Sequence, residues 1–283
     1  MRWLLLFATL PAFGQSFSVS STEPPAPHGV VNARQGTLVI LKSDTGDHAR
    51  LLGKTIALFP GSEANQPKVA LMPVPTPTKP GDYKVEFLDK AGTVIGSEPL
   101  KVLDAHYTKQ NIAIEKAVAE LKPSPGEQER VASFRDTVTP ERDWDLPLKI
   151  KLPIPGCMTS QFGSQRLQNG VPTGDFHAGL DQRGAAGTPI KAIAAGTVKV
   201  AQPFNLRGGT VGIDHGQGLT SIYMHMSKVA AVEGAHVQQG DIIGYVGSTG
   251  RSTGPHLHWT LYAQGVPVNP RQWVTVSACP PKK

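Results

Sequence analysis

Short apolar runs of strand length, separated by glycine, proline and aspartate, recur along the chain as far as residue 104. Runs rich in β-branched and aromatic residues with such boundaries are typical of β-strands. The clearest runs are residues 37–41, 55–59, 69–72 and 83–88. Their spacing is that of a small β-sandwich. We therefore predict an all-β domain over residues 15–104.

The pattern changes between residues 105 and 149. Four apolar residues recur at the spacing of one helical face: Ile114, Ala117, Val118 and Leu121. Residues 124–127 then form a capping box with proline at the first helical position, followed by an apolar stripe that includes Val131 and Phe134. We predict a linker of two short helices. Such a linker could pack over a C-terminal cleft, or it could only space the two halves.

From residue 150 onward the runs are again of β type. They cover residues 190–200, 210–213, 219–224 and 241–246, and glycine turns join them. The abundance of Gly (30) and Pro (25) fits a mainly β protein with many turns, and 283 residues suggest two domains. The turn at residues 79–83 resembles that of immunoglobulin-like domains, which implies a similar sandwich for the N-terminal domain.

Charge is distributed unevenly between the two halves. Residues 1–150 carry 17 Lys and Arg against 17 Asp and Glu, whereas residues 151–283 carry 11 against 5. The net charge of +6 therefore belongs to the C-terminal half. A basic exported domain could face an anionic polymer or lipid, or simply have a solvated basic surface. Basic and aromatic residues do not alternate as in a nucleic-acid groove, so we expect no nucleic-acid partner.

The first 14 residues have the features of a secretory signal peptide. Arg2 is followed by a short apolar run and a small-x-small ending at residues 12–14, which predicts cleavage before Gln15. The alternative is a membrane anchor, but the run is shorter than the about 20 residues that a span needs. We expect an exported, periplasmic or extracellular protein, monomeric and without stable membrane insertion.

Two cysteines, Cys157 and Cys279, lie near the two ends of the C-terminal half. In an oxidising compartment an even number favours a disulfide, here one that joins the ends of the domain. The alternatives are two free thiols or two metal ligands.

Candidate chemistry lies in two histidine-rich segments. If residues 256–262 form a strand, the period of two places His256 and His258 on one face, roughly 6.5 to 7 Å apart. In the second segment, His177 and Asp181 are four residues apart and should point the same way. A third segment brings His225 to the end of a buried strand. The sequence therefore predicts a metal site.

The remaining histidines lack partners at ligand spacing, and we interpret them as structural or solvated: His28, His48, His106, His215 and His236. Asp214 precedes His215 and Gly216, and we interpret it as a turn residue rather than a ligand.

Three segments together resemble the lysostaphin-type zinc metallopeptidases that cleave peptidoglycan peptides. They are His177-x-x-x-Asp181, Tyr223-x-His225-Met226 and His256-Leu257-His258, and the resemblance covers roughly residues 150–275. It implies a compact antiparallel β domain over residues 150–283, with His177, Asp181 and His258 as zinc ligands and His225 and His256 as catalytic histidines. Gly208-Gly209-Thr210 departs from the Gly-Asn of many relatives, which could loosen one cleft edge.

The expected function is zinc-dependent hydrolysis of peptide cross-links in peptidoglycan. Two imidazoles and one carboxylate leave a fourth position on zinc for water. The helix with a His-Glu-x-x-His motif is absent from the sequence, so these segments offer no glutamate as general base. The alternative is a non-catalytic protein of the same fold that binds the wall or activates an amidase. Such a protein would be expected to have lost ligand residues, and here all five residues are present.

Overall fold

The computed structural model describes residues 16–26, 29–63 and 65–280. The predicted signal peptide and His28 lie outside the described residues. Neither described helix has the length and apolarity that a membrane span requires.

The N-terminal domain has two sheets. Its strands are β1 (Phe17–Ser20), β2 (Val31–Arg34), β3 (Leu38–Ser43), β4 (His48–Leu51), β5 (Lys54–Ala57), β6 (Lys68–Pro73), β7 (Gly81–Leu88) and β8 (Val94–Leu103). One sheet has the order β1-β3-β6 and the other has the order β2-β8-β7-β4-β5. Inward residues such as Leu41, Met72 and Phe87 form a core between the sheets. The four predicted runs all fall on strands of this domain.

The connecting segment contains a strand that the sequence pattern did not predict. Its elements are β9 (Lys109–Ile112), α1 (Lys116–Ala119) and α2 (Glu127–Arg135). The two short helices are present, but α1 is a single turn without buried residues, and Ile114 lies before it. Helix α2 begins at Glu127 with Gly126 as its N-cap, so Ser124 does not occupy the N-cap position that the capping box implied.

The C-terminal domain contains the remaining strands. They are β10 (Met158–Ser160), β11 (Gln165–Gln168), β12 (Val171–Phe176), β13 (Leu180–Arg183), β14 (Pro189–Lys191), β15 (Gly196–Phe204), β16 (Gly208–Gly216), β17 (Leu219–Val229), β18 (His236–Val237), β19 (Ile242–Val246), β20 (His256–Ala263) and β21 (Val266–Val268). The run at residues 190–200, predicted as one strand, is divided between β14 and β15. The division has a physical reason: β14 pairs with β19, whereas β15 pairs with β16 and β18.

A ten-stranded sheet has the order β10-β13-β20-β17-β16-β15-β18 along its main path. A separate three-stranded sheet, β12-β11-β9, includes the strand from the connecting segment. Cys157 and Cys279 form the predicted disulfide.

Both faces of the ten-stranded sheet are covered. One face contributes Leu257 and Trp259 to the main core, which also takes in Leu38 and Leu71 of the N-terminal domain. The other face packs against α2 through Phe134 and through strand residues such as Tyr262. Since residues 256, 258, 260 and 262 share a face of β20, the two histidines emerge beside the part of the sheet that α2 covers.

Candidate metal centre

Strand pairing brings Asp181 and His258 together. In the antiparallel pair β13–β20, Asp181 lies directly opposite His258, and Arg183 lies opposite His256. Directly opposed residues place their side chains on the same face of a sheet. The predicted alternation in β20 is observed, since Leu257 is fully buried while His256 and His258 point to the other side.

His177 reaches the same place from a loop. It follows β12 and precedes β13, and its backbone pairs with the Gly163–Ser164 segment through His177 N to Ser164 O and Gly163 N to His177 O, both 2.8 Å. The prediction that His177 and Asp181 point the same way therefore holds, but not because both lie on one strand.

Three acceptor atoms converge at this point. His177 Nε2 lies 3.0 Å from His258 Nδ1 and 3.1 Å from Asp181 Oδ1, and His258 Nδ1 lies 2.7 Å from Asp181 Oδ1. Ligands held at about 2 Å from one ion lie roughly 3 to 3.5 Å from each other. Among the described residues, the side chains of His177, Asp181 and His258 form the group whose spacing could hold a metal ion.

The outer atoms of the three side chains already have protein partners. His177 Nδ1 donates to Gln161 O at 2.9 Å, and His258 Nε2 forms a hydrogen bond with Thr260 Oγ1 at 3.0 Å. The Gln161 carbonyl can only accept, so it assigns the His177 tautomer and leaves a lone pair on His177 Nε2. Asp181 Oδ2 accepts from Arg166 at 3.2 Å. Two imidazole nitrogens and one carboxylate oxygen at this spacing are a donor set that fits a zinc ion.

Electrostatics keep the His258 imidazole neutral and the Asp181 carboxyl charged. Burial lowers the pKa of His258 to about 4, against the opposing effect of Asp181. Burial would raise the pKa of Asp181, but His177 and His258 hold it well below its usual range. Neutral imidazole and ionised carboxylate are the forms that bind zinc.

His225 and His256 lie beside this group. The rings of His225 and His256 are 4.9 Å apart between centroids, and His225 is 6.2 Å from His258. His225 Nδ1 donates to Thr249 O and His256 Nδ1 donates to Gly254 O, both at 2.8 Å. Each therefore has a free Nε2. Burial, followed by the neighbouring histidines, lowers the pKa of His225 to about 3.

The backbone of His225 is in the left-handed region, with φ of 63°. His225 lies within β17 rather than at the end of this strand. At this position Met224 and His225 of β17 together oppose the single residue Thr210 of β16. This is a β-bulge, a feature that redirects side chains next to active sites. The bulge and not the strand period sets the direction of the His225 ring.

Gly208 and Gly209 lie against the loop that holds His225. Gly209 N donates to Thr249 Oγ1 at 3.0 Å, and Thr249 Oγ1 donates to Met226 O at 2.7 Å. Gly208 has φ of 66°, and a Cβ there would collide with the Thr249 backbone. The Gly-Gly sequence thus places this edge of the cleft close to residue 249.

Two adjoining cavities, of about 340 and 570 Å³, flank the histidines. Both are lined by Ile112 and Ile114 from the connecting segment, together with Arg166, Arg251, His225 and His258. The connecting segment therefore borders the cleft and does more than space the two halves.

The other histidines of the described chain lie outside this group. His215 is fully buried in β16 rather than in a turn, and it contacts Ala195 O and Ser221 Oγ. His236 pairs with Asp143 at 3.0 Å. Asp214 is also buried within β16, so its interpretation as a turn residue is wrong. It accepts from Gly216 N at 2.9 Å and from Thr139 Oγ1 at 3.1 Å.

Sequence reasoning missed several residues around the metal group. Arg166 and Ser160 contact the predicted ligands, but they lie 15 residues or more from Asp181, and no signal in the sequence marks them. Thr260 lies on the same face of β20 as His258, so the period of two could have identified it.

Residues 175–270, which contain all five predicted site residues, match the family model "Peptidase family M23". The chain contains a peptidase family M23 domain. The predicted resemblance to lysostaphin-type peptidases is thereby confirmed. An M23-family crystal structure from Pseudomonas aeruginosa aligns with TM-score 0.63 and 28% identity, over 84% of this chain and 93% of that chain. The mainly β fold is thus shared beyond the M23 domain itself.

The curated relatives match less than half of this chain. The DD-carboxypeptidase/endopeptidase Mpg of Neisseria meningitidis is 41% identical over 113 residues, which is 40% of this chain and 26% of that protein. The peptidoglycan DD-endopeptidase ShyA of Vibrio cholerae is 37% identical over 112 residues, with the same coverage. The chain therefore spans about a quarter of the length of these relatives.

Proposed function

We propose that this protein is a zinc-dependent endopeptidase that hydrolyses peptide cross-links of peptidoglycan. The observation that carries the proposal is the convergence of His177 Nε2, Asp181 Oδ1 and His258 Nδ1 within 2.7 to 3.1 Å of one another. Two further imidazoles with free Nε2 atoms lie beside them. The proposal assigns metal binding to the first three residues and catalysis to His225 and His256.

Each of the three binding residues has its own supporting contact. His177 presents a lone pair on Nε2 because its Nδ1 donates to Gln161 O, and Thr260 Oγ1 holds the outer nitrogen of His258. Arg166 fixes the outer oxygen of Asp181, so that the inner oxygen points to the histidines. When bound there, zinc supplies a Lewis acid for the scissile carbonyl and a water of lowered pKa.

His225 and His256 provide the proton transfers. Each ring is held through Nδ1–H by a backbone carbonyl, so Nε2 is the atom that accepts a proton from the attacking water or returns it to the leaving amine. His225 is buried, whereas His256 is half-buried, and both line the larger cavity. Among the described residues, Asp181 is the one carboxylate that lines the larger cavity, so we assign the acid–base chemistry to the histidines.

The cleft suits an anionic polymer. Arg166, Arg207 and Arg251 line the smaller cavity, against Asp175 as its acidic residue. Positive potential along a cleft raises the association rate of an anionic substrate without tight contacts. The relatives' names, which specify DD-endopeptidase activity, support a D-alanyl to diamino-acid bond as the target. A glycine-rich bridge is the second candidate.

A substrate of this kind places the protein in the periplasm or outside the cell. The proposed signal peptide would direct it there, and we propose that the exported chain acts as a monomer.

The decisive experiment digests purified sacculi of defined cross-link chemistry and resolves the released muropeptides by mass. Wild-type protein should convert dimers to monomers. His225→Ala should retain zinc and lose this activity, because it removes a proton acceptor and no ligand. His236→Ala is the matched control, since His236 lies in the same domain and outside the cleft. Wild-type protein that binds zinc and converts no dimers on any wall type would favour the non-catalytic alternative.

A further inference from the structure

The carboxylate of Glu127, at the first turn of α2, is fully buried although it lies outside the metal group. Its Oε2 accepts from Ser124 N at 2.9 Å and from Ser124 Oγ at 3.0 Å. These are local contacts at a helix start. A buried carboxylate that served only this end of the helix would need no partner from the C-terminal domain.

Three more donors reach Glu127 from a loop about 80 residues away. Leu206 N donates to Oε2 at 3.2 Å, while Arg207 N and the Arg207 guanidinium donate to Oε1 at 3.2 and 2.8 Å. Burial would raise the pKa of Glu127, but the hydrogen bonds from Ser124, Leu206 and Arg207 hold it below its usual range. The ionised carboxylate thus fixes two consecutive backbone N–H groups between β15 and β16.

The opposite side of this loop faces the cleft. Arg207 O accepts from His225 N at 2.9 Å, and Leu206 O accepts from Arg251 N at 2.8 Å. One short loop therefore connects Glu127 on one side with the backbone of His225 on the other.

The backbone of His225 needs such support. A non-glycine residue with φ of 63° is conformationally strained, and this backbone geometry persists only where the surroundings determine it. The Arg207 carbonyl accepts the backbone N–H of this residue, and Thr249 O holds its ring.

We infer that Glu127 is a positioning residue for His225, acting through the carbonyl of Arg207. The connecting segment then contributes to the catalytic geometry of the M23 domain as well as to its packing. The effect on catalysis rests on the proposed function, whereas the effect on the His225 backbone does not.

The test compares Glu127→Gln with Arg130→Gln. Arg130 is on the same helix and also contacts the C-terminal domain, at Lys199 O and Glu233, but it does not touch the loop. Glutamine replaces one acceptor oxygen by an NH₂ group that faces N–H donors. We expect Glu127→Gln to lower kcat on a purified muropeptide dimer by about 10- to 100-fold, with KM changed less and zinc content unchanged. Arg130→Gln should leave kcat unchanged, and Glu127→Asp, which keeps the charge, should recover part of it.

Hydrogen–deuterium exchange supplies a readout that needs no activity. Peptides covering residues 219–229 should exchange faster in Glu127→Gln than in wild type, and not in Arg130→Gln. Unchanged exchange in Glu127→Gln, or a kcat that matches wild type, overturns the inference. An inactive wild type with zinc bound overturns the proposed function instead, and the exchange data still decide the role of Glu127. If Glu127→Gln does not fold, Glu127→Asp carries the same comparison.

Discussion

Zinc should stabilise the folded protein through the three converging acceptors. His177 Nε2, Asp181 Oδ1 and His258 Nδ1 lie 2.7 to 3.1 Å apart and are largely shielded from water. An ion that binds only the folded state therefore contributes stability by mass action.

The magnitude follows from the ratio of free zinc to its dissociation constant. At a zinc concentration 100 times that constant, the free energy of unfolding rises by about 2.7 kcal/mol. For a chain of this size, each kcal/mol shifts Tm by roughly 2 to 4 °C, so we expect a shift of roughly 5 to 10 °C.

The measurement is thermal unfolding of chelator-treated protein, with and without added zinc. His258→Ala removes one of the three acceptors and should abolish the zinc-dependent shift, whereas His236→Ala should retain it. Metal analysis of the same samples should find one zinc per chain in wild type and in His236→Ala. A His258→Ala protein that zinc stabilises as much as wild type would refute the ligand assignment.

Two further predictions concern stability. Burial lowers the pKa of His215, so the unfolded state takes up a proton that the folded state does not. The free energy of unfolding should therefore fall as the pH drops below about 6.5, by at most about 1.4 kcal/mol per pH unit. Chemical denaturation of wild type and His215→Gln at several pH values checks this, and an equal dependence of the unfolding free energy on pH in both proteins would contradict it. The disulfide between Cys157 and Cys279 closes a long loop, so Cys279→Ser should lose up to about 4 to 5 kcal/mol; thiol titration of denatured, non-reduced wild type should find no free sulfhydryl, and two free thiols would show that the bond is absent.

Local sequence determined the features that depend on the period of a strand. The period of two placed His256 and His258 on one face and Leu257 on the other, and the structure has this arrangement. The four runs of the N-terminal domain overlap strands because they are apolar, of strand length and bounded by turn residues. A period is a property of neighbouring residues, and no distant contact is needed to fix it.

Strand register and contacts between residues far apart in the sequence decided the other features of the site. Pairing of β13 with β20 placed Asp181 opposite His258, and a β-bulge turned His225 into the cleft with φ of 63°. A period of two predicts neither, since a bulge interrupts it and register depends on the partner strand.

The connecting segment shows most clearly that a local pattern does not predict contacts with distant residues. The pattern of apolar residues predicted its two short helices, but β9 forms through pairing with β11, which follows it by more than 50 residues. The sequence marks Glu127 as part of a helix start, a local role that its contacts with Ser124 fulfil. Its contacts with Leu206 and Arg207 exist only because α2 packs on the sheet beside β15 and β16, and that packing is a property of the folded chain.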